Sequence, residues 1–134
     1  MAKTQTAFLE RARVPARAAL QEAIKDLKFR LTLDDAYIPF ESSGYLPCTL
    51  DGEDAGFDIR FADGTGEVSA VQLDGRDVSI VFRWGGDPRE YASAMIVSAA
   101  LADRFGALVH RPEGLLEADK LIKEARKAFE AAQE

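Results

Sequence analysis

The clearest alternation of apolar and polar positions in the chain begins at Asp77. From Val78 to Trp84 every second residue is large and apolar, a period of two that is typical of a strand with one face in a core. Val81 lies on the other face of this strand and indicates that the second face is partly covered as well. We therefore predict a core strand over 78–84.

A long apolar helix is predicted directly after this strand. Asp87 is placed to cap the free backbone N–H groups of its first turn, and Pro88 has no N–H to lose there. Glu90 occupies the position at which a capping-box partner is expected. The middle of the segment, ASAMIVSAALA, carries no charge, so the helix over 88–105 is predicted to be central and buried, with Gly106 as its left-handed end.

Two helices are predicted at the amino terminus. A first amphipathic helix is capped by Thr4 or Thr6 and carries Phe8 on its apolar stripe. Pro15 then breaks it before a second helix over 16–27.

Short strands are predicted between these helices and Asp77, over 28–33, 45–50, 57–61 and, less clearly, 67–73. Pro47 cannot donate a hydrogen bond to a neighbouring strand, so the second of them is expected at an edge. The intervening loop holds Tyr37, Ile38 and Phe40, whose side chains are predicted to cover an edge of the core.

The carboxyl-terminal part predicts either a short edge strand or extended chain over 107–109, and a helix over 115–133. The whole pattern favours a single α+β domain over 1–134, with an antiparallel sheet of about five strands and helices packed mainly on one face. The helix over 88–105 is the central element of that fold.

Composition narrows the functional classes. A 134-residue chain with 47% hydrophobic residues can bury a real core, and its single cysteine excludes an intramolecular disulfide framework. Neither a secretory signal pattern nor an apolar run of bilayer length is present, so a cytoplasmic protein is expected. A net charge of −6 argues against nucleic acid as the main ligand.

The negative charge is concentrated in residues 51–77, which contain eight Asp or Glu and only two Lys or Arg. One interpretation is that these acids solubilise turns and deter edge pairing between strands. The other is that they form an acidic surface that steers a basic partner. The sequence leaves both open.

Catalytic motifs are not evident. Cys48 and His110 are the one thiol and the one imidazole, but Cys48 lies on the inward face of a predicted strand, where cysteine usually acts as a small hydrophobe. Gly85 and Gly86 precede a helix and could cradle an anion, but the carboxylate of Asp87 would repel it. No enzymatic activity and no cofactor are predicted.

A calcium site is the remaining chemical hypothesis. Its carboxylates would come from Asp51, Glu53, Asp54 and Asp58. The run misses the spacing of an EF-hand, because Ala55 stands at the third ligand position and no Glu closes the loop. A solvated hairpin tip is the better interpretation.

The order of features resembles that of small bacterial immunity proteins, the cognate inhibitors of polymorphic or type VI secreted toxins. An amphipathic amino-terminal helix, GYLPCTLDG, AGFDIRF, VSIVFRW, an alanine-rich helix ending in SAALADRFG, and RPEG before a last helix carry this likeness. It implies a non-catalytic protein that occludes a toxin by forming a heterodimer, with a toxin that is basic if the acidic hairpins are the contact surface.

The predicted contact residues are acidic, with two loop aromatics as anchors: Asp51, Glu53, Asp54, Asp58, Asp63, Glu67, Tyr37 and Phe40. Two other classes of function remain open. A small-molecule-binding or enzymatic domain would need a deep polar pocket, for example around Arg83, Tyr91 and His110. A secretion-system chaperone or adaptor would instead expose an apolar groove.

Overall fold

A computed structural model describes residues 3–63, 75–111 and 114–133. In these ranges the chain forms a six-stranded sheet, a three-stranded sheet and three α-helices, which confirms the predicted α+β class. All strand pairs are antiparallel, as expected, although the strands outnumber the five or so that the sequence predicted.

The strands are β1 (Lys3–Leu9), β2 (Leu31–Leu33), β3 (Ser43–Leu46), β4 (Cys48–Leu50), β5 (Glu53–Asp54), β6 (Phe57–Asp63), β7 (Val78–Trp84), β8 (Leu108–Arg111) and β9 (Gly114–Leu116). The helices are α1 (Arg17–Asp26), α2 (Pro88–Phe105) and α3 (Ala118–Ala132). The large sheet has the order β3-β6-β7-β1-β8-β9, and the small sheet the order β2-β4-β5.

The predicted first helix is wrong, because Lys3–Leu9 forms β1 in the interior of the large sheet. Gln5, Ala7 and Leu9 are buried at every second position, which is the period of a strand. Ala7 lies opposite Ile80 of β7 on one side and opposite Val109 of β8 on the other. Pairing on both sides satisfies the backbone of this segment and outweighs its weak helical stripe.

Pro47 divides the predicted strand over 45–50. The residues before it form β3 in the large sheet, and those after it form β4 in the small sheet. Proline has no N–H for a ladder, but its carbonyl oxygen accepts a hydrogen bond from the backbone N–H of Asp34 at 3.2 Å. The proline is therefore the point at which the chain changes sheets.

Three other boundaries shift. The strand predicted over 28–33 is reduced to Leu31–Leu33, and the short strand after Gly106 extends over Leu108–Arg111. The last helix begins at Ala118, because Gly114–Leu116 pairs with β8 as β9. The weak strand predicted over 67–73 lies outside the described residues.

Helix α2 has the predicted limits, with Asp87 as its N-cap and Gly106 at its end. The side chain of Asp87 accepts a hydrogen bond from the N–H of Arg89 at 2.8 Å, and Gly106 ends the helix with a φ of 75°. Glu90 departs from the expected capping box, since its carboxylate accepts from the N–H of Gly85 instead. Every residue from 92 to 101 is buried, and α2 contacts both sheets and both other helices.

The large sheet has two unlike faces. Its inner face packs on α2 and carries Ala7, Ile59, Ile80, Phe82 and Val109. The outer face carries exposed charged residues in the same strands, such as Asp58, Arg60 and Arg83. No helix in the described part of the chain is long and apolar enough to cross a membrane.

Candidate functional site: an acidic groove beside the small sheet

The acidic hairpin between β4 and β5 forms ion pairs with two arginines. Asp51 and Gly52 form a tight turn with φ angles of 52° and 87°. The backbone N–H of Asp51 donates to the carbonyl oxygen of Arg30 at 2.8 Å, and the two side chains form an ion pair at 3.3 Å. Glu53 forms a second ion pair at 2.5 Å with Arg89, at the start of α2. Two of the predicted contact acids are thus engaged within the chain.

Asp54 differs from these neighbours because its side chain has no hydrogen-bond or ion-pair partner among the described residues. It lies directly opposite Thr49 of β4, which in turn lies opposite Thr32 of β2. Leu33 and Cys48, on the opposite face of the same strands, are buried in the core. The row from Thr32 to Asp54 is therefore the solvent face of the small sheet.

A concave surface of about 390 Å³ lies over this row. Its lining consists of Arg17, Thr32, Leu33, Asp34, Asp35, Pro47, Cys48, Thr49 and Asp54. We call this surface the acidic groove, because its lining includes three acidic residues, Asp34, Asp35 and Asp54, and one basic residue, Arg17.

Arg17 already forms hydrogen bonds and an ion pair within the chain at the wall of the groove. Its Nε and Nη2 atoms donate to the carbonyl oxygen of Leu33 at 3.0 and 2.5 Å, and Nε lies 3.3 Å from the carboxylate of Asp35. The carboxylate of Asp34 is also used, since it accepts from the N–H of Ala36 at 2.9 Å. Within the described ranges, the side chain of Asp54 has no partner at the groove, and the three acids and one arginine make the groove negative.

The other predicted acids do not join this groove. Asp58 lies on the outer face of the large sheet, opposite Tyr45 on one side and Arg83 on the other. Asp63 is the last residue of β6, and Glu67 lies outside the described residues. The predicted acidic set is therefore divided between the two sheets.

The two predicted aromatic anchors have opposite environments. Tyr37 is 3% exposed, and its hydroxyl donates to the carbonyl oxygen of Pro15 at 2.9 Å. Burial raises the pKa of this hydroxyl above its ordinary value. Phe40 is 43% exposed and packs against Phe61 at a ring-centroid distance of 5.8 Å. Tyr37 is thus a core residue that cannot contact a partner from this position, whereas Phe40 can.

The Cys48–His110 dyad is not favoured. Cys48 belongs to the small sheet and His110 to the large one, where it lies opposite Thr6. Burial, and to a smaller extent the charge of Asp34, raises the pKa of the Cys48 thiol to about 12. At neutral pH this thiol is protonated and is a poor nucleophile.

The hypothetical pocket around Arg83, Tyr91 and His110 does not form as one site. Arg83 and His110 lie on the outer face of the large sheet, whereas the Tyr91 ring packs on buried Trp84 at 5.6 Å. The Tyr91 hydroxyl instead donates to Glu124 of α3 at 3.3 Å. The sequence had grouped side chains that the fold separates.

A polar network joins the large sheet to α2 and α3 on the inner side. The amide of Gln5 donates to the hydroxyl of Ser98 at 2.6 Å and accepts from Arg111 at 2.9 Å. Arg111 also holds the carboxylate of Glu124 with two nitrogens, at 2.6 and 3.3 Å. Burial of Tyr91 beside Glu124 raises the pKa of its hydroxyl. Since its members satisfy one another, the network has a structural role.

The described residues do not form a metal or anion site at the positions that the sequence suggested. No group of three or more His, Cys, Asp or Glu side chains among the described residues is arranged to hold a metal ion. At the double glycine before α2, the N–H of Gly85 already donates to the carboxylate of Glu90 at 2.9 Å and so is not available to an anion. These positions offer no inorganic ligand site.

The main residues that sequence reasoning missed are Asp34 and Asp35. The sequence pattern predicts a loop at these two residues. Their position at the groove depends on the pairing of Leu33 with Cys48 across strands β2 and β4. The only signal in the sequence is a pair of acids placed directly after an alternating strand. That signal does not reveal which strand lies alongside.

The fold and the groove were compared with known proteins. No protein-family model, no curated protein and no solved structure gives a significant match to this chain.

Proposed function

We propose that this chain is an immunity-type binding protein that neutralises a cognate toxin by occluding it in a heterodimer, with the acidic groove as the contact surface. The observation that carries the proposal is that three acidic residues, Asp34, Asp35 and Asp54, line one concave surface. Among its described lining residues, Arg17 alone is cationic, and it is held by the carbonyl oxygen of Leu33. Lysine or arginine side chains of a basic partner complement such a surface.

Backbone hydrogen bonds hold the hairpin of this surface, which favours tight binding. Asp54 lies on a hairpin in which the N–H of Asp51 donates to the carbonyl oxygen of Arg30 at 2.8 Å and the N–H of Ala55 donates to the carbonyl oxygen of Cys48 at 2.9 Å. A contact surface fixed before binding loses little conformational entropy when the partner arrives. The carboxylate of Asp54, which has no side-chain partner in the described part of the chain, would attract a basic protein over a distance of about 10 Å at 0.1 M salt.

The proposal requires no catalytic group of its own. Occlusion of a toxin depends on the buried area and on electrostatic complementarity, and the acidic groove supplies the second of these. The protonated, buried thiol of Cys48 beneath the groove is consistent with this role.

The test uses the protein encoded next to this chain. The two proteins are co-expressed, and their complex is measured by size-exclusion chromatography with light scattering, beside cell survival when the neighbour is expressed alone. We expect a toxic neighbour, rescue by this chain and a stable heterodimer whose association rate falls as salt is raised. The proposal is refuted if the neighbour is not toxic, if this chain does not rescue the cells, or if the purified proteins do not associate.

A further inference from the structure

The loop that leaves the acidic groove displays two large apolar side chains. Residues 34–42 begin at the groove carboxylates Asp34 and Asp35. Ile38 is 48% exposed and Phe40 is 43% exposed, whereas most large apolar side chains in the described ranges are buried. Only Tyr45 and Leu115 are comparably exposed large apolar residues in the described part of the chain, and neither belongs to this loop.

The loop is held in one conformation by its own hydrogen bonds. The carbonyl oxygen of Ile38 accepts from the N–H groups of Glu41 and Ser42 at 3.1 and 3.0 Å. The hydroxyl of Ser42 accepts from the N–H of Ile38 at 2.8 Å and donates to the carbonyl oxygen of Ala36 at 3.1 Å. Buried Tyr37 anchors the loop to the carbonyl oxygen of Pro15. The exposed side chains therefore project from a fixed backbone.

Phe40 adopts an unfavourable backbone conformation in this loop. Its φ is 68°, in the left-handed region, which costs a bulky residue free energy that glycine would not lose. The ring remains partly in solvent, with the guanidinium of Arg11 5.1 Å from its centroid. The ring also packs on Phe61 at 5.8 Å, and with both contacts it is still 43% exposed, so a strained backbone presents an apolar surface to solvent.

We propose that Ile38 and Phe40 form a pre-organised apolar anchor that enters an apolar socket on the same toxin that binds the acidic groove. This inference rests on the proposed function, and it adds an apolar anchor to the acidic contact surface. The loop is continuous with the groove through Asp34 and Asp35, and Glu41 adds a third carboxylate beside the anchor. The complementary socket is therefore apolar at its centre with lysine or arginine at its rim.

The experiment measures the dissociation constant of the purified heterodimer by calorimetry for single variants. Ile38→Ala and Phe40→Ala should each weaken binding by at least about tenfold, the loss typical of anchor residues. Leu115→Ala is the matched control, because Leu115 is a similarly exposed apolar residue at the opposite edge of the large sheet. It should leave the dissociation constant within about threefold of wild type.

Two further variants separate an anchor from a structural residue. Phe40→Gly removes the ring and also the strain at φ 68°, so it should lose binding like Phe40→Ala while keeping higher stability than that variant. Ser42→Ala leaves both apolar side chains intact but removes two loop hydrogen bonds, and should weaken binding about three- to tenfold through lost pre-organisation.

The outcomes separate the anchor from the function on which it rests. If wild type binds the toxin and both alanine variants at positions 38 and 40 bind within threefold of it, the anchor is refuted while the proposed function stands. If Leu115→Ala loses as much affinity as they do, the specific anchor is likewise refuted. If wild type itself does not bind, both the anchor and the proposed function fall.

Discussion

Two serines of helix α2 provide a matched test of how the core is held together. Ser93 and Ser98 are both fully buried in the same helix. The hydroxyl of Ser98 accepts from the amide of Gln5 at 2.6 Å and donates to the carbonyl oxygen of Ala94 at 2.8 Å. The hydroxyl of Ser93 has no hydrogen-bond partner among the described residues. Replacing each by alanine should therefore change stability in opposite directions.

The magnitudes follow from these contacts. Ser98→Ala leaves the buried Gln5 amide without its acceptor, which costs about 1–3 kcal/mol. Ser93→Ala removes a buried hydroxyl that gains nothing in the fold, so it should raise stability by about 1 kcal/mol. Alanine has the higher helix propensity at both positions, so that contribution cancels in the comparison. The two variants should differ by about 2–4 kcal/mol in the free energy of unfolding.

The assay is urea unfolding followed by the fluorescence of Trp84, which is buried and is the chain's single tryptophan. Circular dichroism should give a coincident transition if unfolding is two-state. The reasoning is refuted if Ser93→Ala is as destabilising as Ser98→Ala, since that would mean that the Ser93 hydroxyl has a partner of equal value.

Four further predictions concern the core and the hairpin. The buried thiol of Cys48 has a pKa of about 12, against an ordinary value of 9.0. At pH 8 it should therefore react with Ellman's reagent about a thousandfold more slowly in the native protein than in the urea-unfolded protein. Comparable rates would show that the thiol is accessible in the native protein. Between pH 9.0 and about pH 12 the Cys48 thiol stays protonated only in the folded state, so the free energy of unfolding should fall as pH rises through this range. The fall should be smaller in Cys48→Ala. Gly56→Ala should destabilise the protein by about 2 kcal/mol or more, because its Cβ would lie 2.6 Å from the carbonyl oxygen of Leu46. Gly86→Ala is the control, because open space surrounds a Cβ at that position. In the same urea assay its free energy of unfolding should differ from that of wild type by less than about 1 kcal/mol. A double-mutant cycle on the solvent-accessible Glu53–Arg89 pair should give a coupling below about 1 kcal/mol, and a larger value would mean that the hairpin depends on this pair.

The elements that the sequence predicted well are those with local signals. The strand Val78–Trp84 and helix α2 were predicted with their limits, because alternation, a cap, a proline and a terminal glycine all lie within the segment itself. Strand β1 was missed because its state depends on pairing with β7 and β8, which are distant in sequence. Non-local pairing overrides a weak local pattern.

The candidate site was predicted only in part, for a related reason. Charge counting found the hairpin that carries Asp54, but the partners of Asp51 and Glu53 depend on where Arg30 and Arg89 lie in the fold. In the loop, Tyr37 is buried and Phe40 is exposed, a difference that no periodicity encodes, because the chain there has neither a helical nor a strand repeat.

The central claim is that the acidic groove binds a basic toxin, and the most direct test is the dissociation constant of one double charge reversal. Asp35→Lys with Asp54→Lys reverses two exposed groove acids and spares Asp34, whose carboxylate accepts a hydrogen bond from Ala36. The control reverses Glu22 and Glu130, which are exposed on helices α1 and α3, and so has the same net charge.

Both variants and wild type are titrated with the purified toxin at one salt concentration. The proposed interface predicts that the groove variant binds at least about a hundredfold more weakly than wild type, while the helix variant stays within about threefold of it. Equal losses in the two variants, or wild-type affinity in the groove variant, would contradict it.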